Sequence, residues 1–296
     1  MTTGDFAPTP LVRARSLSAP GRDVFLKNET VLPTGSFKVR GALHALAARL
    51  ARGPIGEVVA ASTGNHGAAV AYAAKRFGVA ARIFLPHGAN PVKAGRVRDL
   101  GATLVEAGAD LSAAIDAAAE YAAGAGAFFL HDASDPDIPV GTAAIGAEIL
   151  TQCPGVDAVY VPMGDTALIR GVASALQLGP RPIRVVGVAA AQAPAYALSW
   201  RAGTVIETDS AQTIADGLAV RRPLIANVDA IRRLVHDVVM VSEQEMREAM
   251  EHLRRHERIV AEPSGAAAVA ALVQNRAPGT FVALVTGGNV SPDARS

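Results

Sequence analysis

From Glu57 onward the chain alternates short apolar, β-rich runs with helical stretches, and this alternation limits the possible folds more than any other feature of the sequence. "EVVAAS" (Glu57–Ser62) reads as a buried strand, and "GNHGAAVAYAAKRFG" after it as a helix ending at Gly78. "ARIFLP" is again a strand, and "NPVKAGRVRDLG" a helix with Pro91 in its first turn, where a missing N–H costs nothing. The pattern continues through "TLVEAG", the helix "DLSAAIDAAAEYAAG", "AFFLHD", the helix "GTAAIGAEILTQC", "AVYVPMG", the helix "TALIRGVASALQ" and "IRVVGVAA". Strands of this kind, separated by helices of this length, predict parallel sheets with helices on both faces. Further on, Ser242 and Glu245 stand at capping-box spacing before a helix, and "GTFVALVTGGN" supplies a last strand and a glycine turn.

Bulk properties exclude several classes of function. The chain has 296 residues, half of them hydrophobic, enough for one large or two small domains. Twenty-eight basic and 27 acidic residues give a net charge of +1, which offers no electrostatic reason to bind nucleic acid or an anionic membrane. No apolar run is long enough to cross a bilayer, and "MTTGDFAPTP" lacks the pattern of a secretory signal. The single cysteine, Cys153, excludes an internal disulfide and a cysteine-based metal cluster. These points together predict a cytoplasmic protein whose partner is a small molecule.

Functional groups in such folds collect where strands end and helices begin. Four loops of that kind stand out: "TGSFK", "STGNHG", "PMGDTALIRG" and "TGGN". In the first, Lys38 lies between a turn and the start of an apolar helix. Read alone, it is either a solvated lysine or a buried amine made nucleophilic for Schiff-base chemistry. In "STGNHG" (Ser62–Gly67), backbone amides at a helix start suit a carboxylate, while Thr63 or Asn65 also fits a plain N-cap and His66 a structural role. "PMGDTALIRG" (Pro162–Gly171) has strand–turn–helix form that suits a phosphate, although it matches neither common phosphate-loop fingerprint. Thr286 offers a hydroxyl beside a flexible backbone, or is part of an ordinary turn. His252 and His256 have metal-capable i, i+4 spacing but lie in an arginine-rich stretch read as a solvated helix. Cys153 reads as buried and inert, and Arg221–Arg222 before Pro223 as a solvated turn.

Taken together, these motifs resemble the fold-type II pyridoxal-phosphate enzymes, and among them the serine/threonine dehydratases and serine racemases. "LKNETVLPTGSFKVRGA" resembles that group's Schiff-base segment and "STGNHG" its asparagine loop. "TIADGLAV" (Thr213–Val220), "AEPSGAAAVAAL" (Ala261–Leu272) and "VTGGNV" (Val285–Val290) also resemble family segments. The resemblance implies a two-domain α/β fold, like that of the tryptophan synthase β chain, with parallel sheets flanked by helices. Residues 41–140 would form a small mobile domain, and 1–40 with 141–296 a large one. The cofactor, pyridoxal 5'-phosphate, would lie in the cleft, shielded from water when the small domain closes. Lys38 would carry it as a Schiff base and remove the substrate's α-proton, with Phe37 packed beside it. Asn65 would bond the ring hydroxyl and Thr286 the ring nitrogen. Gly164, Asp165, Thr166, Ala167 and Leu168 would hold the phosphate. Ser62, Thr63, Asn65 and His66 would hold the substrate carboxylate, with Thr63 the catalytic group on the opposite face. The expected reaction is α,β-elimination of a β-hydroxy amino acid such as L-threonine or L-serine to a 2-oxo acid and ammonia. Racemisation or β-replacement is the alternative, and a catalytically degenerate binding protein the third reading. The family implies a homodimer.

The sequence departs from the family pattern at three places. Asp165 stands in a run that is usually glycine, "DPDIPVGT" (Asp135–Thr142) is about two residues shorter, and "VVGVAAAQAPA" (Val185–Ala195) has alanines where metal-dependent members carry carboxylates. No metal is expected there.

Overall fold

The computed structural model describes residues 6–62, 64–89 and 91–290. It divides into a contiguous unit, Phe37–Gly141, and a discontinuous unit made of Phe6–Ser36 and the chain from Thr142 onward. The discontinuous unit begins with β1 (Leu11–Arg13) and β2 (Arg22–Asn28). The contiguous unit then runs α1 (Lys38–Ala51), β3 (Glu57–Ala61), α2 (Asn65–Phe77), β4 (Ala80–Leu85), α3 (Pro91–Asp99), β5 (Thr103–Glu106), α4 (Leu111–Ala125) and β6 (Phe128–Phe129). Helix α5 (Asp137–Gln152) carries the chain back, and β7 (Ala158–Pro162), α6 (Ala167–Leu176), β8 (Arg184–Ala190), α7 (Ala195–Ala202), α8 (Ile225–Leu234), β9 (Asp237–Val241), α9 (Glu243–His252), α10 (Pro263–Gln274) and β10 (Gly279–Val285) complete the larger sheet and its helices.

In the contiguous unit a four-stranded sheet has the order β5-β4-β3-β6, with every pairing parallel. Val58 and Val59 of β3 are fully buried, which fits a strand covered on both faces. One side packs against α4, whose Ala114, Ala118 and Ala122 recur every four residues and meet Val59 and Phe84. Asp110 caps this helix by accepting from the N–H of Ala113 at 2.9 Å, and Gly126 ends it in the left-handed conformation. Near the start of α5 the chain turns tightly against α1. A Cβ on Gly141 would fall 2.5 Å from the Arg40 carbonyl oxygen, so only glycine fits. Helix α5 starts at Asp137, four residues before the expected Gly141, because Pro139 is tolerated in a first turn.

The sheet of the discontinuous unit has the order β1-β2-β10-β7-β8-β9, parallel except for β1 on β2. Strand β7 is buried along its whole length, as its continuous apolar run requires. Its core takes in α10, whose nine residues from Ser264 to Leu272 are all buried. The alanines of that helix let it lie close against the sheet, and Leu272 and Val269, fully buried, each stabilise the unit by about 1.5–3 kcal/mol. The expected capping box is present: Ser242 accepts from the N–H of Glu245, whose carboxylate accepts from the N–H of Ser242 at 2.7 Å. Helix α9 passes at His252 into a π-helical turn, Leu253–Glu257. There the His252 and His256 rings stack 4.7 Å apart and His252 Nε2 meets the Ser16 hydroxyl at 2.8 Å. Among the described residues, no group of three histidine, cysteine or acidic side chains is placed to hold a metal ion. No helix among them is long and apolar enough to cross a membrane. Cys153 is buried, and burial pushes its thiol pKa up.

Candidate active site

In the contiguous unit, β3 and β6 are neighbouring parallel strands, in register at Val58 with Phe128 and Val59 with Phe129. Their carboxyl ends therefore open side by side. The first leads through Ser62 to α2, whose opening residues are Asn65 and His66. The second leads through Leu130, whose N–H bonds Val59 O at 2.8 Å, to His131 and Asp132. Gly64 is the N-cap of α2 and the helix has no side-chain cap, so Asn65, its first residue, does not fill that place. Ser62 turns its hydroxyl to accept from the Gly64 N–H at 3.1 Å. Thr63 lies outside the described residues.

Lys38 is the first residue of α1, and its ammonium is paired with Asp132 Oδ2. The Phe37 ring centroid lies 5.5 Å from Lys38 Nζ. His66 is buried, its Nε2 3.0 Å from the Leu130 carbonyl oxygen and its Nδ1 3.6 Å from Asp132 Oδ1. Burial alone would raise the Asp132 pKa, but Lys38 and then His66 outweigh it and hold the carboxyl down at about 2. Burial lowers the His66 pKa, and the nearby Lys38 ammonium adds to that effect against the pull of Asp132. Asp132 is the residue that sequence reasoning missed. It is one of three acidic side chains in "HDASDPD", and only the β3–β6 pairing shows which of them reaches the lysine.

In the discontinuous unit the same logic applies to β7 and β10, parallel neighbours in register at Val159 with Val282. Beyond β7 lie Gly164, Asp165 and Thr166, then Ala167 and Leu168 opening α6; beyond β10 lies buried Thr286. Thr166 is the N-cap of α6 at φ +70°, a conformation that costs a β-branched residue about 1–2 kcal/mol. Its Oγ1 is buried with no hydrogen-bond partner among the described residues, as is Ser36 Oγ, and Ser36 bridges to Gly287 beside Thr286. A Cβ on Gly164 would stand 2.0 Å from the Gly217 carbonyl oxygen, and the Gly217 N–H bonds Ser264 Oγ at 2.9 Å. "TIADGLAV" and "EPSGA" thus meet against the loop after β7. The Asp165 backbone carbonyl accepts from Asn227 Nδ2 at 3.3 Å, and Asn227 in turn is held at 3.1 Å by the Tyr196 hydroxyl. A helix N-terminus carrying an unpartnered hydroxyl, with no room above its glycine, is chemically suited to a phosphate group.

The contiguous unit thus offers an amine at a helix start, a group suited to an aldehyde, and the other unit a helix N-terminus suited to a phosphate, both on α/β sheets. The chain belongs to the family of pyridoxal-phosphate dependent enzymes, which matches residues 2–287, and its cofactor is pyridoxal 5'-phosphate. It is 34% identical over 286 residues to the L-threonine ammonia-lyase of Geobacter sulfurreducens, covering 95% of this chain and 71% of that protein. Among solved structures it is similar to the T.th. threonine deaminase (TM-score 0.90, 32% identity, 96% of this chain and 94% of that one). It is also similar to maize serine racemase (TM-score 0.89, 30% identity, 98% and 90%). The expected fold class, two parallel-type sheets flanked by helices in a fold-type II enzyme, is the one observed.

Proposed function

We propose that the chain is a pyridoxal-phosphate dependent ammonia-lyase that converts a small β-hydroxy amino acid, L-threonine or L-serine, into a 2-oxo acid and ammonia. The observation that carries this reading is Lys38, an amine at the first position of α1 held on a largely buried carboxylate, in a chain similar to threonine ammonia-lyases. The cofactor, when bound, withdraws electrons from the substrate's α-carbon. Lys38 would hold the cofactor through its amine, and as a free amine would accept the α-proton. The amides at the start of α2, with Ser62, Thr63, Asn65 and His66, bind the substrate carboxylate and fix which Cα bond faces Nζ. Thr166, Asp165, Gly164, Ala167 and Leu168 would hold the phosphate, Asn65 and Phe37 would contact the ring, and Thr286 would offer the ring nitrogen an uncharged hydroxyl. A cytoplasmic homodimer completes the proposal.

The similarity to maize serine racemase favours a second reading, racemisation at the same site. One experiment separates them: purified protein with L-threonine or L-serine, assayed for 2-oxo acid and for the D-isomer, with the visible absorption band recorded for wild type and Lys38→Ala. The lyase reading expects 2-oxo acid in excess of D-isomer and a band absent from the variant. Excess D-isomer would give the racemase, and a band that survives Lys38→Ala would remove Lys38 from its role.

A further inference from the structure

The cluster around Asp132 has a proton-counting problem. His66 Nε2 lies 3.0 Å from the carbonyl oxygen of Leu130, and a carbonyl only accepts, so Nε2 carries the hydrogen. A neutral imidazole then presents a bare lone pair at Nδ1, and Nδ1 faces Asp132 Oδ1 at 3.6 Å. Two acceptors turned toward each other in a buried place are tolerated only because the other carboxylate oxygen is neutralised by the Lys38 ammonium. His131 is the other titratable group beside both residues. Its Nδ1 faces away from Asp132, toward the backbone N–H groups of Ala133 at 3.2 Å and Ser134 at 3.3 Å.

We infer that Asp132 balances a single positive charge that either Lys38 or His66 can carry, so that removing the charge from Lys38 places a proton on His66 Nδ1. The proton that His66 gains comes from solvent water and returns to it when the Lys38 ammonium re-forms. The cluster keeps its net charge in both states, and the His66–Asp132 contact changes from two facing acceptors into an ion pair. This rests on the geometry of the contiguous unit alone. Its consequence for catalysis rests on the proposed function: Lys38 must lose and regain a proton in each turnover, and the second seat keeps Asp132 neutralised while it does.

The test follows the imidazole 15N resonances of the full-length protein, labelled at histidine and free of cofactor, from pH 5.5 to 9, with His66→Gln to assign the signal. Wild type should show a His66 that is neutral at pH 7 with its hydrogen on Nε2. Lys38→Met should raise the His66 midpoint by roughly one unit or more, a tenfold or greater gain in proton affinity, within the range that an adjacent opposite charge produces. Lys38→Arg, which keeps the charge, should leave the midpoint near that of wild type, and Asp132→Asn should abolish the response to Lys38→Met. Lys38→Gln replaces Lys38→Met if the latter does not fold. An unmoved His66 midpoint in the neutral variants would overturn the inference, as would an equal shift in Lys38→Arg, which would trace the effect to packing instead of charge.

Discussion

Replacing Asp132 by asparagine keeps the size of the side chain and removes its charge, so its effect on stability should depend strongly on pH. In the folded, cofactor-free protein the carboxyl is held at about 2 against an ordinary value of 3.8. At about 1.4 kcal/mol per pH unit, that depression corresponds to about 2 kcal/mol of stability. The folded value is the lower one, so the contribution is fully present above the unfolded value and is lost as pH falls toward the folded one. Urea unfolding of wild type and Asp132→Asn should therefore differ by about 2 kcal/mol at pH 6, by roughly half of that at pH 3, and by under roughly 0.5 kcal/mol at pH 2. A constant difference across the range would refute the reasoning, because it would show that asparagine costs packing and that the ion pair contributes nothing.

Three other substitutions test the anion cradle and the turn that precedes α5. Thr166→Val removes a hydroxyl that has no partner among the described residues, so the cofactor-free melting temperature should hold or rise while pyridoxal phosphate binds about tenfold more weakly, a loss of about 1.4 kcal/mol by spectrophotometric titration. Gly164→Ala places a methyl group 2.0 Å from the Gly217 carbonyl oxygen, and the loop must shift; the visible band should disappear or need at least tenfold more cofactor to saturate. Gly141→Ala, with its Cβ 2.5 Å from the Arg40 carbonyl, should destabilise the protein by about 1–3 kcal/mol in chemical denaturation.

Local residue pattern made much of this fold legible. Continuous apolar runs such as "AVYVP" marked strands buried on both faces, and Ser242 with Glu245 marked a helix start to the residue. Lys38 and the loops after β3, β7 and β10 stood out because each carries unusual chemistry at a strand end or a helix start. Two features were hidden for one physical reason, which is that both depend on pairing between distant segments. Asp132 meets Lys38 only because β6, two residues long, adds to β3 and aims the following loop. Gly217 and Ser264 meet the loop after β7 only because α10 packs behind that sheet. The left-handed backbone at Thr166 was equally invisible, since a β-branched residue predicts the opposite conformation.

Strand order also says something about synthesis. The contiguous unit has all its strands in hand once Gly141 has been made, and its sheet pairs only strands made before that point. The other sheet cannot close so early. β2, made among the first, is bonded to β1 on one side and must keep its other edge open until β10 arrives to sit between it and β7. On a ribosome, the early strands thus wait with an unpaired apolar edge while almost everything else is translated, and such edges recruit chaperones or other nascent chains. The lysine-bearing helix is complete long before the strand that leads to Thr286, so the two halves of the chemistry are born at opposite ends of translation.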